Sequence, residues 1–286
     1  MEKIKRKPNR LQMKQNRQGA AEYLTFPLIE ETGAVRHLFS TRLGGVSDGI
    51  FASMNLSYTR GDEKAAVDEN YRRIAGLLGC EPEDIVCSDQ THTTNIRVVE
   101  EKDKGKGIIR PKDYTDIDGL ITNVPGIVLA TFYADCVPLF FIDTEKKAVG
   151  LSHSGWRGTV GRMGQCTIEA MQKAYGTRPE DVVAAIGPSI CQDCYEVSED
   201  VADAFYREFH GPGHGEAILL SKGNGKYQLN LWRANQIVLE EAGVLPEKIQ
   251  VTDICTCCNP AYLFSHRASQ GKRGNLGAFL GLLSEN

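Results

Sequence analysis

Apolar residues fall into short runs divided by polar turns, interrupted by a few longer stretches at helical spacing. Leu24 to Leu28 and Val35 to Ser40 read as strands on either side of the polar turn Glu30 to Gly33. Ile85-Val86, Ile96 to Val99, Ile117 to Thr122, Ile127 to Phe132, Leu139 to Ile142, Ala148 to Leu151, Val182 to Ile186 and Ile249 to Ile254 continue the series. A Pro125-Gly126 turn separates two of them. Val67, Tyr71, Ile74, Leu77 and Leu78 recur at helical spacing before Gly79, and Val160, Met163, Ile168, Met171 and Tyr175 do so before Gly176. Ser198 precedes a third such stretch through Val201, Ala202, Phe205 and Phe209, and Trp232 to Leu239 forms a fourth, ending near Gly243. Short hairpin strands alternating with three or four helices predict a single α+β domain over residues 21–286, its mixed sheets covered by helices.

Composition narrows the class. A chain of 286 residues can bury a substantial core, and no run approaches the roughly 18 apolar residues of a membrane span. The net charge of −4 hides an asymmetry: residues 1–20 carry seven Lys or Arg against one Glu, leaving −10 on the remainder. A polar, basic start of this kind predicts a disordered tail. Nucleic acid or a membrane surface is the sharper alternative partner for it, and neither is expected. The charged start lacks the apolar segment of a secretory signal, so a cytoplasmic protein is expected. Nine cysteines, an odd number, then argue for free thiols. Cys191-Gln-Asp-Cys194 and Cys255-Thr-Cys257-Cys258 are candidates for a structural zinc site, but neither is followed by a clean second Cys-x2-Cys, and small buried thiols are common.

Candidate chemistry centres on residues 134–158. Leu139 to Ile142, the turn Thr144 to Lys147 and Ala148 to Leu151 form a hairpin that brings Cys136 near His153. The pair reads either as part of a zinc site or as a nucleophile with its base. His92, in a polar run between two apolar pieces, would complete two imidazoles and a thiolate, a set that holds catalytic zinc with one position open. Asp135 can orient a metal-bound imidazole or accept a proton, and Asp118 can bond the N–H groups of a turn or face a cleft. For an anion, Arg42 beside Gly44 and Gly45, and Arg157 at the start of the helix after Gly155, offer donors suited to phosphate. Residues 100–112, charged and without apolar period, read as a mobile loop.

The ordered segments Phe39 to Ser47, Asp89-Gln-Thr-His92, Ala134-Asp-Cys-Val-Pro138, His153-Ser-Gly-Trp-Arg-Gly158 and Ala185 to Ile190 resemble the YlmD/YfiH laccase-domain family over about residues 25–282. The resemblance implies an α/β/β/α sandwich, zinc on His92, Cys136 and His153, and a catalytic role for Asp135. It also implies phosphate near Ser40, Arg42, Gly44, Gly45 and Arg157. The implied activity is phosphorolysis of adenosine, inosine, guanosine and S-methyl-5'-thioadenosine, with adenosine deamination, by a monomer or homodimer. His266 stands where relatives usually carry Tyr. A cysteine hydrolase using Cys136 and His153, for example on peptidoglycan fragments, is the alternative. Multicopper oxidation needs about ten histidines in His-x-His pairs, whereas the chain has six and no such pair.

Overall fold

The computed structural model describes residues 4–8 and 10–283. Two six-stranded mixed sheets form the centre. The first runs in the order Lys14–Gln18, Ala21–Thr25, Val35–Ser40, Leu276–Leu282, Val128–Tyr133, Ile85–Cys87. The second runs Ile249–Val251, Val182–Ile186, Val137–Asp143, Ala148–Ser154, Gly119–Thr122, Ile96–Val98. A small three-stranded sheet, Glu196–Ser198, Lys226–Leu229 and Leu219–Gly223, lies beside them.

Strand alternation explains the layering. Along Val137–Asp143, Phe140 and Ile142 join Leu24, Phe39, Leu129 and Leu280 between the two sheets. Leu139 and Phe141 point the other way, against Met171 of helix Met163–Tyr175 and Ile237 of helix Leu231–Glu241. On the outer face of the first sheet, Leu38, Ala130 and Phe279 pack on Val67, Tyr71 and Ile74 of helix Lys64–Leu78. The result is the expected α+β sandwich of helix, sheet, sheet and helix.

Three local readings are corrected. The strand expected over Leu24 to Leu28 is Ala21–Thr25, and it stops there because Pro27 opens the helical turn Pro27–Glu30. The helix after His153 is two helices, Trp156–Val160 and Met163–Tyr175, broken where Arg162 takes a left-handed φ of 59° and ties to Glu208 and Glu241. Residues 100–112 are anchored by buried Asp103, which binds Arg97, Lys106 and the Glu100 N–H.

The basic start is also more structured than its composition predicts. Lys14–Gln18 pairs antiparallel with Ala21–Thr25 as an edge strand, where polar and charged residues are normal. Ahead of it, Arg6 pairs with buried Asp253, whose carboxylate also accepts the Met13 N–H, and Asn259 brackets Lys5. Residues 1–3 and 9, the remainder of the expected tail, lie outside the described residues. Because Met13 is buried in the core between the sheets, Met13→Ala should cost about 2–4 kcal/mol in urea unfolding. An unchanged midpoint would show that the N-terminal segment does not contribute to the folded state.

Candidate metal centre and cleft

Cys136 and His153 sit at adjoining ends of the central hairpin. Val137 pairs with Ser154 and Pro138 with His153, so Cys136 emerges one residue beyond the last pair, beside Gly155. Asp135 turns the chain into the strand at a left-handed φ of 94°. His92 arrives from the loop before Ile96–Val98, itself at φ 69°. The three ligand atoms, two imidazole nitrogens and a thiol sulfur, lie within 4.8 Å of one another. Cys136 Sγ is 3.9 Å from His92 Nε2, and the two imidazole rings meet edge to face at 5.0 Å. Gly155 permits this closeness: a Cβ there would stand 2.9 Å from His92 Cδ2 and 3.2 Å from Cys136 Sγ.

Asp118 holds the group together. Its buried carboxylate accepts the N–H groups of Thr91, His92 and Thr93 at 2.9–3.1 Å and the Thr93 hydroxyl at 3.0 Å. It also lies 2.7 Å from His153 Nδ1, while its backbone carbonyl accepts the His153 N–H. One residue therefore shapes the His92 loop and orients the His153 ring with Nε2 left for the centre, the arrangement of a carboxylate behind a metal-binding histidine. Of the two roles open to Asp118 in the sequence, it fills the first, bonding the N–H groups of a turn; fully buried, it is not part of the cleft wall.

The electrostatics follow from burial and proximity. Burial opposes ionisation of Asp118, but the His153 hydrogen bond and charge with the loop N–H groups outweigh it, holding its pKa at about 2. Burial likewise opposes a Cys136 thiolate, yet His153 and His92 bring that thiol down to about 6. His153 is disfavoured as a cation by burial and raised to about 9 by Cys136 and Asp118.

Asp135 does not serve the imidazoles. Its carboxylate accepts the Thr256 hydroxyl at 2.6 Å and the Arg267 N–H at 2.7 Å, and its carbonyl accepts the Ile190 N–H. It positions the turn that presents Cys136, and the orienting role belongs to Asp118.

The expected phosphate residues lie elsewhere too. Arg42 donates to the carbonyls of Ala52 and Pro260, both at 2.8 Å, and stacks on Phe264. Ser40 Oγ is buried and accepts the Gly277 N–H. Gly44 and Gly45 are packing glycines: a Cβ would meet Ala20 O at 2.3 Å and Ser53 O at 2.0 Å respectively. Arg157 is exposed and stacks on its neighbour Trp156. None of these five lines the cleft above the ligand group. His266, at the solvent-facing start of helix His266–Ser269, does not line it either.

That cleft has a volume of about 760 Å³, with His92, Cys136 and His153 in its wall. Tyr58 and Phe132 line it with aromatic surface, and Arg60 and Arg273 line it with positive charge. Burial and repulsion by Arg60 lower the Arg273 pKa to about 10, and Arg273 Nε is buried without a partner. Arg60 makes no hydrogen bond or ion pair among the described residues. In the sequence Arg273 is one of three basic residues, with Arg267 and Lys272, in the stretch that follows His266. For Arg60 and Tyr58 the sequence carried no signal, since the loop after Asn55 shows no periodicity.

Comparison with known proteins shows the family. Residues 36–283 match the family described as multi-copper polyphenol oxidoreductase laccase. The chain is 36% identical over 248 residues to the purine nucleoside phosphorylase YlmD of Bacillus subtilis, covering 85% of this chain and 87% of that one. It is 34% identical over 232 residues to the adenosine deaminase RL5 of an unknown prokaryotic organism, covering 80% and 87%. The crystal structure of YlmD from Geobacillus stearothermophilus superposes with a TM-score of 0.86 at 33% identity, covering 94% of this chain and 99% of that one. With matching sequence over most of its length and the same sandwich, the chain belongs to the YlmD/YfiH laccase-domain family.

Proposed function

We propose that the protein is a zinc-dependent purine nucleoside phosphorylase that also deaminates adenosine. Adenosine, inosine, guanosine and S-methyl-5'-thioadenosine are its substrates. The observation that carries the reading is the convergence of His92, Cys136 and His153 on a cleft lined by aromatic rings and by two guanidinium groups, Arg60 and Arg273, that form no ion pair among the described residues. The names of the two relatives support it. Two imidazoles and a thiolate suit zinc. Neither reaction moves electrons to an acceptor, so a coupled copper centre is not required. When bound, zinc supplies Lewis acidity near neutral pH.

The chain's own residues do the rest. Tyr58 and Phe132 offer ring faces to a purine, and Arg60 with Arg273 take over the anion role expected of Arg42 and Arg157. Two guanidinium groups at one wall can hold phosphate against the ribose C1′, so that the C1′–O bond forms as the bond to the base breaks. Asp118 keeps His153 in one tautomer and the His92 backbone in its left-handed loop, so the His153 ring and the position of His92 are set before substrate enters.

A second reading rests on the same side chains. Cys136, His153 and Asp118 have the order of a nucleophile, its base and an orienting carboxylate, and the thiol is already acidic. A cysteine hydrolase acting on peptidoglycan fragments would use these three and leave His92 without a role.

Incubating the purified protein with adenosine, with and without phosphate, tests the main reading. Free adenine should appear only with phosphate, inosine should appear in both, and chelation should stop both. Activity on peptidoglycan fragments that survives chelation, with no nucleoside turnover, would establish the hydrolase instead.

The anion assignment has its own check. Arg273→Met should slow release of free base by about a hundredfold, about 3 kcal/mol of lost transition-state stabilisation, while deamination persists. Equal slowing of the two reactions would mean that Arg273 positions the nucleoside rather than the phosphate.

For Asp118→Asn, the charge that faces both the loop N–H groups and His153 Nδ1 is removed. Zinc retention in chelator competition should weaken about 10–100-fold. Unaltered retention would confine Asp118 to shaping the loop.

A further inference from the structure

Four cysteines outside the cleft meet in a second group. Val182–Ile186 and Ile249–Val251 are parallel neighbours, and the pairing continues past their ends through the Ser189–Cys255 bridge and the Thr256 N–H to Ser189 O bond. The segments leaving the two strands therefore run side by side, one carrying Cys191-x2-Cys194 and the other Cys255-x2-Cys258. The second of these pairs is a clean Cys-x2-Cys hidden by the intervening Cys257. The four sulfurs lie within 4.8 Å of one another.

From this convergence we infer that Cys191, Cys194, Cys255 and Cys258 form a structural zinc site, separate from the cleft. Cys258 Sγ is 3.9 Å from Cys191 Sγ and 3.5 Å from Cys194 Sγ. A tetrahedral ion with bonds of about 2.3 Å to sulfur requires sulfur separations of about 3.8 Å, whereas a disulfide requires about 2.0 Å. The Cys191 and Cys258 N–H groups point at Cys255 Sγ, at 3.2 and 3.4 Å, as they would toward a ligating thiolate. Lys7, ion-paired with Asp193, also faces Cys191 and offsets part of the negative charge of four thiolates around a divalent ion. Each thiol that binds releases its proton to solvent. Four protein ligands close the site, which gives it a structural role.

The site braces the first one. Segment 187–194 supplies the Ile190 N–H to Asp135 O, and the Cys255–Cys258 turn supplies the Thr256 hydroxyl to Asp135 Oδ1. Joining these segments through a metal fixes the left-handed Asp135 that presents Cys136.

The decisive experiment uses the full chain with the cleft site removed, as His92→Ala/Cys136→Ala, expressed with zinc and purified under reductant. Metal analysis should find one zinc per chain, and X-ray absorption should show four sulfur neighbours at about 2.3 Å. No metal, iron in place of zinc, or a shell containing nitrogen would overturn the inference. In the wild-type chain, alkylation with and without chelator gives an independent reading that needs no variant. Cys191, Cys194, Cys255 and Cys258 should become reactive together on chelation. Equal reactivity in both conditions, or a mass showing disulfides among them, would also refute it.

Discussion

The carboxylate of Asp118 is the constraint on which the site depends. It takes three backbone N–H groups from the His92 loop while facing His153 Nδ1. A buried carboxylate without these donors would favour protonation, and the loop without the carboxylate would leave three N–H groups seeking partners. Each half compensates the other. The loop can therefore hold His92 at a left-handed φ, a conformation with a cost that the surrounding bonds offset.

Around this anchor, the sandwich supplies rigidity. His153 lies on one strand and Cys136 directly precedes its neighbour, both strands being buried on both faces, so the backbone has little room to adjust. Asp135 fixes the entry to one strand through Thr256, Ile190 and Arg267, which come from three different segments. Gly155 leaves the space that the imidazole and thiol fill. The donor group is thus preorganised by packing and hydrogen bonds behind it while it opens onto the cleft, as a centre must be if it is to bind an ion in one geometry. The cleft above it is assembled differently, from the loop after Asn55, the anchored segment 100–112 and Arg273 and Asn275 just before Leu276–Leu282.

The regular parts of the fold were legible because they rest on local periodicity. Val35–Ser40, Val182–Ile186 and Lys64–Leu78 with its left-handed Gly79 stop stand as read, and alternation along residues 137–143 reflects the two cores on either side. The misread start of the chain has a physical cause: an edge strand needs backbone pairing more than apolar side chains, so its composition resembles that of a disordered tail. The helix break at Arg162 was hidden because the apolar spacing continues across it.

The sequence alone determined that Cys136 and His153 meet, since a hairpin with a short turn leaves its two ends no other arrangement, and His92 stood out from its polar run between two apolar pieces, a reading that the family motifs supported. The tertiary structure decided which groups surround them. Arg42 and Arg157 looked like anion donors as residue types, but carbonyls of Ala52 and Pro260 occupy the first, and the second stacks outward on Trp156. Arg60 and Arg273, 213 positions apart, share a wall only after the sheets have packed. Cys191 and Cys255 likewise become neighbours through parallel pairing of strands joined by a long excursion. Short-range order is written in periodicity and spacing, whereas the partner that satisfies a charge or a thiol is chosen by long-range packing, which no local pattern encodes.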